Sequence, residues 1–228
     1  MGAITFDLGE TLLTYDGIPL SWQEHYRAAL SAAFSVGKIF FSDSHLDTAS
    51  EILSRYNTRN FPREYEVSST KIFEEIFSAC GFESSAVETI QFNFFGYFQK
   101  NCVAYPETHS VLRLLREQGN KIAVLTDVPY GMPRDFVLMD LKTAGLSSLI
   151  DVVVTSVDTG FRKPAAEAFL RFAATLDVPP KSLIYIGNEK KDIDGPNSIG
   201  AKSILINREK ADRNFGQTRT ISTLQELL

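Results

Sequence analysis

The chain has 228 residues, 44% of them hydrophobic and 22% charged, a balance that excludes wholesale disorder and suits one core carrying an insertion. Acidic residues outnumber basic ones by 28 to 23, a net charge of −5, which argues against a general nucleic-acid binder because that function calls for a basic stripe. Two cysteines are too few for a disulfide scaffold, the apolar runs fall far short of the ~20 residues of a membrane helix, and no signal-peptide pattern is present, so a soluble, cytoplasmic protein without membrane or nucleic-acid partners is expected.

A short apolar run, Ala3-Ile-Thr-Phe6, opens the chain and predicts a strand. Four helical stretches follow, at about 21–35, 43–58, 67–80 and 85–99. Trp22, Tyr26, Ala29, Leu30 and Ala33 make one apolar stripe; Ile72, Phe73, Ile76, Phe77 and Cys80 make a second; Val87, Ile90, Phe94 and Phe98 make a third, behind a capping box at Ser85-x-x-Glu88. Spacing of three and four residues accounts for these aromatics as packing.

Beyond residue 100, strands and helices alternate. Ile122–Leu125, Asp151–Thr155, Leu183–Ile186 and Ser203–Ile206 are continuous apolar runs, the pattern of strands buried on both faces of a parallel sheet. Between them lie a helix ending at Gly119, a stripe of Val137, Leu141 and Ala144 ending at Gly145, and a stripe over Ala165–Leu176; Ser222-x-x-Gln225 predicts a cap for a last short helix. Such alternation implies right-handed βαβ units.

Ligands of open α/β sheets sit beyond the carboxyl ends of the strands. The first strand delivers Asp7-Leu8-Gly9-Glu10-Thr11 there, the second Thr126-Asp127, the third region Gly160-Phe161-Arg162-Lys163-Pro164, and the fourth Gly187-Asn188 with Asp192 four residues on. One edge thus gathers carboxylates, a hydroxyl and a lysine, which suits an oxyanion together with a divalent cation.

These four segments, in this order, resemble motifs I to IV of the haloacid dehalogenase (HAD) superfamily, and the helical insertion resembles the C1 cap of its subfamily I. The resemblance implies an α/β fold, a Rossmann-like parallel sheet core of residues 1–16 and 101–228 with an all-helical cap of residues 17–100. It implies a hydrolase, a phosphatase acting on a small phosphorylated metabolite, as monomer or homodimer. By the same resemblance Asp7 is the nucleophile that forms an aspartyl-phosphate, Thr126 and Asp127 contact the substrate, and Lys163 holds the nucleophile against the phosphate and offsets charge. Asp7, the Gly9 carbonyl and Asp192 would bind Mg²⁺, which needs few carboxylates because it keeps several waters.

The chain departs from the pattern at two places. Phosphatases of the superfamily carry an acid/base Asp two residues after the nucleophile, where this chain has Gly9; the help that residue gives is worth roughly 10²–10⁴-fold. Glu10 stands one residue later, and a loop carboxylate is the preferred reading of it. Asn188 occupies a position where aspartate is common, and Lys190 and Lys191 beside it are expected on the solvated loop. Slow turnover, or a catalytically impaired binding protein, follows as the alternative. A metal-independent haloacid dehalogenase would resemble Asp-x-Tyr-Gly-Thr at motif I and Ser-Asn at motif II, unlike this chain, and a phosphonoacetaldehyde hydrolase would need a Schiff-base lysine among Lys38, Lys71 and Lys100. Tyr15, Trp22, His25, Arg59 and Arg63 are candidates for reading the substrate.

Overall fold

The computed structural model describes residues 3–19, 21–99 and 102–228. The opening run forms β1 (Ala3–Phe6), and a short β2 (Leu13–Tyr15) follows. Four helices come next: α1 (Tyr26–Val36), α2 (Asp43–Tyr56), α3 (Ser69–Cys80) and α4 (Val87–Tyr97). The rest of the chain runs β3 (Cys102–Ala104), α5 (Thr108–Glu117), β4 (Lys121–Thr126), α6 (Arg134–Thr143), β5 (Val152–Thr155), the single turn α7 (Ser156–Thr159), α8 (Ala166–Leu176), β6 (Ile184–Gly187), α9 (Lys191–Ser198), β7 (Lys202–Ile206) and β8 (Arg219–Ile221).

One parallel sheet has the order β5-β4-β1-β6-β7-β8. Its central strand, β1, lies between β4 and β6, with Phe6 opposite both Val124 and Ile186. The order reverses there, so the crevice beyond β1 is where a ligand of such a sheet binds. Phe6, Val124, Leu125, Tyr185 and Ile186 are buried, as continuous apolar strands require.

The helical insertion leaves and returns through one ribbon. β2 pairs antiparallel with β3, Leu13 opposite Ala104 and Tyr15 opposite Cys102. Tyr26, Leu30, Phe34, Phe73, Phe77, Phe94 and Phe95 are almost wholly buried, so the predicted stripes are the packing faces of α1, α3 and α4. A second tie joins helices to core. Glu66 donates its backbone N–H to the Gly160 carbonyl at 3.0 Å, and Arg162 donates its own to the Glu64 carbonyl at 2.7 Å.

Two predicted caps fall elsewhere. Residues Ser84–Ala86 form a 3₁₀ turn, and α4 begins at Val87 with no side-chain cap at Ala86. At the C-terminus the capping box is Thr223 with Glu226, opening a 3₁₀ turn over Leu224–Leu227 in place of an α-helix. At the C-terminus Ser222 and Thr223 offer the same hydroxyl chemistry, and at α4 the preceding 3₁₀ turn leaves Ala86, which has none, at the helix start. No helix among the described residues is long and apolar enough to cross a membrane.

Candidate active site

The central strand ends by projecting Asp7 over the sheet edge. Its backbone N–H donates to the Ile186 carbonyl at 2.8 Å, which fixes the carboxylate between β1 and β6. Lys163 reaches the same point from the loop before α8. Its Nζ donates to Asp7 Oδ1 at 2.7 Å, to Asp192 Oδ1 at 2.7 Å and to the Tyr185 hydroxyl at 3.0 Å. The Tyr185 hydroxyl in turn donates to the Leu125 carbonyl at 2.6 Å. All three donor protons of the ammonium thus have partners.

Burial opposes charge on Lys163, but Asp192 and Asp7 outweigh it and hold the ammonium well above its ordinary pKa. Burial is also the largest influence on Asp7. With the like charge of Asp192 it pushes the carboxyl up to about 6, against the pull of Lys163 and Lys191.

Asp192, expected as a magnesium ligand, has both oxygens engaged by protein donors. Its Oδ1 accepts from Lys163, and its Oδ2 accepts the backbone N–H groups of Asn188 at 3.1 Å and Glu189 at 2.9 Å. The side chain is wholly buried and stands behind Lys163. Gly187 permits this, because a Cβ there would collide with the Asp192 side chain. The carboxylate fastens the lysine and the β6–α9 loop.

Thr126 lies at the end of β4, buried, on the wall of a cavity of about 190 Å³ that Asp7, Gly9 and Asp127 also line. Asp127 accepts the Lys163 backbone N–H at 3.0 Å on Oδ1 and the Lys191 ammonium at 3.0 Å on Oδ2. Burial would raise its pKa, yet Lys191, Arg162 and Lys163 prevail and hold it at about 2. Asp127 therefore braces cations around the cavity.

Lys191 departs from the solvated position expected of it. Its ammonium is drawn inward between Asp127 and Glu189, at 3.0 Å from each, whereas Lys190 stays largely exposed. Glu189 also meets Arg59 at 2.5 Å. Burial opposes its ionisation, but Lys191 and Arg59 keep its carboxyl at about 2. Glu10 has both oxygens engaged, accepting from Thr14 at 2.7 Å and Tyr105 at 2.6 Å, which agrees with a structural loop carboxylate.

Among the substrate-reading candidates, Tyr15, Trp22 and Arg59 line the cavity. Arg63 faces a neighbouring cleft, bonded to the Tyr56 carbonyl at 2.9 Å. His25 packs on Tyr97 and Phe98. Lys38 and Lys71 are exposed, so neither is the desolvated lysine a Schiff base needs; Lys100 lies outside the described residues. Residues not singled out in the sequence complete the site. Arg162 is buried and bonds Glu66, the Val128 carbonyl at 2.7 Å and Thr58 at 3.3 Å. Glu66, Tyr185 and Asp140 carry no motif, and only the folded chain reveals their partners.

Among the described residues no three His, Cys, Asp or Glu side chains converge as a metal cluster. Asp7, Asn188 and Gly9 line the cavity together, and this set fits magnesium, for which one or two carboxylates suffice; Glu189 has its oxygens on Arg59 and Lys191.

A helix-covered parallel sheet with a buried Asp–Lys–Asp group beyond its central strand defines an α/β protein with a charged site at its switch point. A sequence profile of haloacid dehalogenase-like hydrolases matches residues 42–206, and the chain belongs to that family; Asp7 lies ahead of the matched span. A ribulose-1,5-bisphosphate 5-phosphatase of Halopiger xanaduensis is 32% identical over 133 residues, 54% of each chain. A pyrophosphatase PpaX of Bacillus mycoides is 30% identical over 102 residues, 45% of this chain and 46% of its own. The aligned part thus spans about half the length of these relatives. Among solved structures, a HAD phosphatase from Thermococcus onnurineus has a TM-score of 0.63 and 24% identity, covering 100% of this chain and 96% of its own. A 2-haloacid dehalogenase from Pseudomonas syringae has a TM-score of 0.71 and 20% identity over the same shares. These two establish a shared fold. The two aligned relatives carry phosphatase names.

Proposed function

We propose that the protein hydrolyses small phosphate monoesters through a phosphoryl group carried on Asp7. Residues 1–16 and 101–228 act as the catalytic core and residues 17–100 as a cap over it. The observation that carries this reading is the Lys163 ammonium, held 2.7 Å from both Asp7 and Asp192 at the reversal point of the sheet.

An Asp7 oxygen attacks phosphorus, and the bond from phosphorus to the ester oxygen breaks. The departing alkoxide takes a proton from solvent, since Gly9 supplies none. Water then attacks the same phosphorus, giving orthophosphate and restoring the Asp7 carboxylate. Splitting the displacement in two lowers each barrier. Lys163 orients Asp7 and balances the negative charge that gathers in the transition state. The Thr126 hydroxyl donates to a phosphate oxygen, and Asp127 holds Lys163 and Lys191 in place beneath it. Magnesium would be held by Asp7, Asn188 and the Gly9 carbonyl, and would supply further charge for the phosphoryl oxygens.

The phosphatase names of the relatives and the cations around the cavity support this substrate class. The test is release of phosphate from a generic aryl phosphate, with and without Mg²⁺, by the wild type and by Asp7→Asn. Release that disappears in the variant supports the reading, and unchanged release refutes it. Gly9 favours a second reading, a phospholigand-binding protein without turnover. Tight phosphate binding with no ester cleavage in the same assay would establish it.

A further inference from the structure

The cavity beside Asp7 has two unlike ends. Toward α9 it is walled by Arg162, Lys191 and Arg59, each paired with an acid. Toward α6 it is walled by Tyr15, Trp22, Phe98 and Tyr130. Trp22 stacks on Phe98 with ring centroids 3.8 Å apart and stands 5.7 Å from the Tyr130 ring. Asp140 sits in the wall of this aromatic end.

Asp140 differs in its partners from the other buried acids around it; the half-buried Glu10 likewise accepts from hydroxyls. Asp7 and Asp192 share Lys163, Asp127 and Glu189 share Lys191, and Glu66 has Arg162. Asp140 is 3% exposed, yet among the described residues it has only neutral partners: Tyr15, whose hydroxyl donates to Oδ2 at 2.9 Å, and Gln99. Removing a carboxylate from water without a cation is costly. Burial accordingly pushes its carboxyl up to about 6, and the hydrogen bonds from Tyr15 and Gln99 offset only part of that. A buried anion among aromatic faces is the environment that attracts an ammonium group, by charge-assisted hydrogen bonding and by cation–π contact.

Tyr15 fixes the distance from the reacting centre. Its Cε2 lies 3.7 Å from where a Cβ on Gly9 would be, and its hydroxyl reaches Asp140. Asp140 therefore lies about one tyrosine ring beyond motif I, a separation that a short carbon chain covers.

We propose, resting on the phosphatase reading above, that the substrate is a short-chain aminoalkyl phosphate whose ammonium binds Asp140 within the aromatic end of the cavity while its phosphate meets Asp7. Tyr15 is a positioning residue that holds the Asp140 carboxylate.

The test compares kcat/KM for aminoethyl phosphate and its neutral counterpart hydroxyethyl phosphate. Wild type is expected to favour the amine by about tenfold or more, the scale of one hydrogen bond to a charged group. Asp140→Asn is expected to bring the two esters near parity. Equal rates in wild type, or an undiminished preference in Asp140→Asn, would overturn the proposal. A readout independent of turnover is the fluorescence of Trp22, the single tryptophan of the chain, titrated with aminopropylphosphonate and with propylphosphonate. Tighter binding of the amine supports the site, and equal binding overturns it. Should neither ester be hydrolysed while the amine still binds preferentially, the phosphatase reading fails and the ammonium site stands.

Discussion

Single residues decide how charge is arranged around Asp7. Asp192 and Glu189 sit three positions apart and each binds cations: Asp192 meets Lys163, and Glu189 meets Lys191 and Arg59. Asn188→Asp, which adds a carboxylate to the cavity wall beside Asp7, is expected to lower the Mg²⁺ concentration for half-maximal activity severalfold, read in a metal titration. Asp192→Asn is expected instead to destabilise the fold by roughly 3 kcal/mol, because it removes one of two carboxylates around a buried ammonium; urea unfolding measures this. Gly9 does not have a positive φ, and an added Cβ would make ordinary contact with Tyr15 at 3.7 Å. Gly9→Asp should thus fold normally and raise turnover more on alkyl than on aryl phosphates, within the roughly 10²–10⁴-fold range of acid–base help. A steady-state comparison of the two substrate classes checks it, and an equal or absent gain would contradict it. The positions of Asp7, Thr126 and Lys163 were legible because each follows a recognisable strand or an x-Lys-Pro turn. The partner of Asp192 was not, since it depends on Gly187 letting the side chain fold back against β6. Nor was the inward turn of Lys191, which two acids from different elements impose.

Elements were legible where they were long enough to show a period. The stripes of α1, α3, α4 and α8 and the runs of β1, β4, β5, β6 and β7 could be read because burial on one face or on both leaves a repeat. β2, β3 and β8 have three residues each, too few for any repeat, and the ribbon of β2 and β3 pairs residues far apart in sequence. The contact between the turn after β4 and the segment ahead of α3 was equally hidden. There Gly131 has φ of +62°, and a Cβ would strike the backbone of Val67 and Ser69. Gly131→Ala is expected to destabilise by about 2 kcal/mol or more, combining left-handed strain with a backbone clash. Denaturant midpoints decide this, and a change within about 0.5 kcal/mol would show the contact to be slack.

At the scale of the whole molecule, the Asp140 carboxylate links stability to pH. Its pKa is raised from 3.8 to about 6, chiefly by burial. Between those values the native state holds a proton that the unfolded chain has lost. Stability from this group is complete below the unfolded value and is lost as pH rises through about 6. Asparagine mimics the protonated form, so Asp140→Asn should raise stability near neutral pH by up to roughly 3 kcal/mol. It should add little near pH 4, which thermal unfolding at the two pH values would reveal. The rest of the molecule brings one buried carboxylate, Asp7, to the edge of a parallel sheet and holds it there with a lysine. The most direct measurement is an acid-quenched turnover in ¹⁸O-water, followed by mass spectrometry of the Asp7 peptide and of the released phosphate. The wild-type peptide is expected to carry a phosphoryl group that is absent from Asp7→Asn, with the heavy oxygen appearing in orthophosphate. Heavy oxygen in the Asp7 carboxyl, or phosphate release from a peptide that is never phosphorylated, would contradict it.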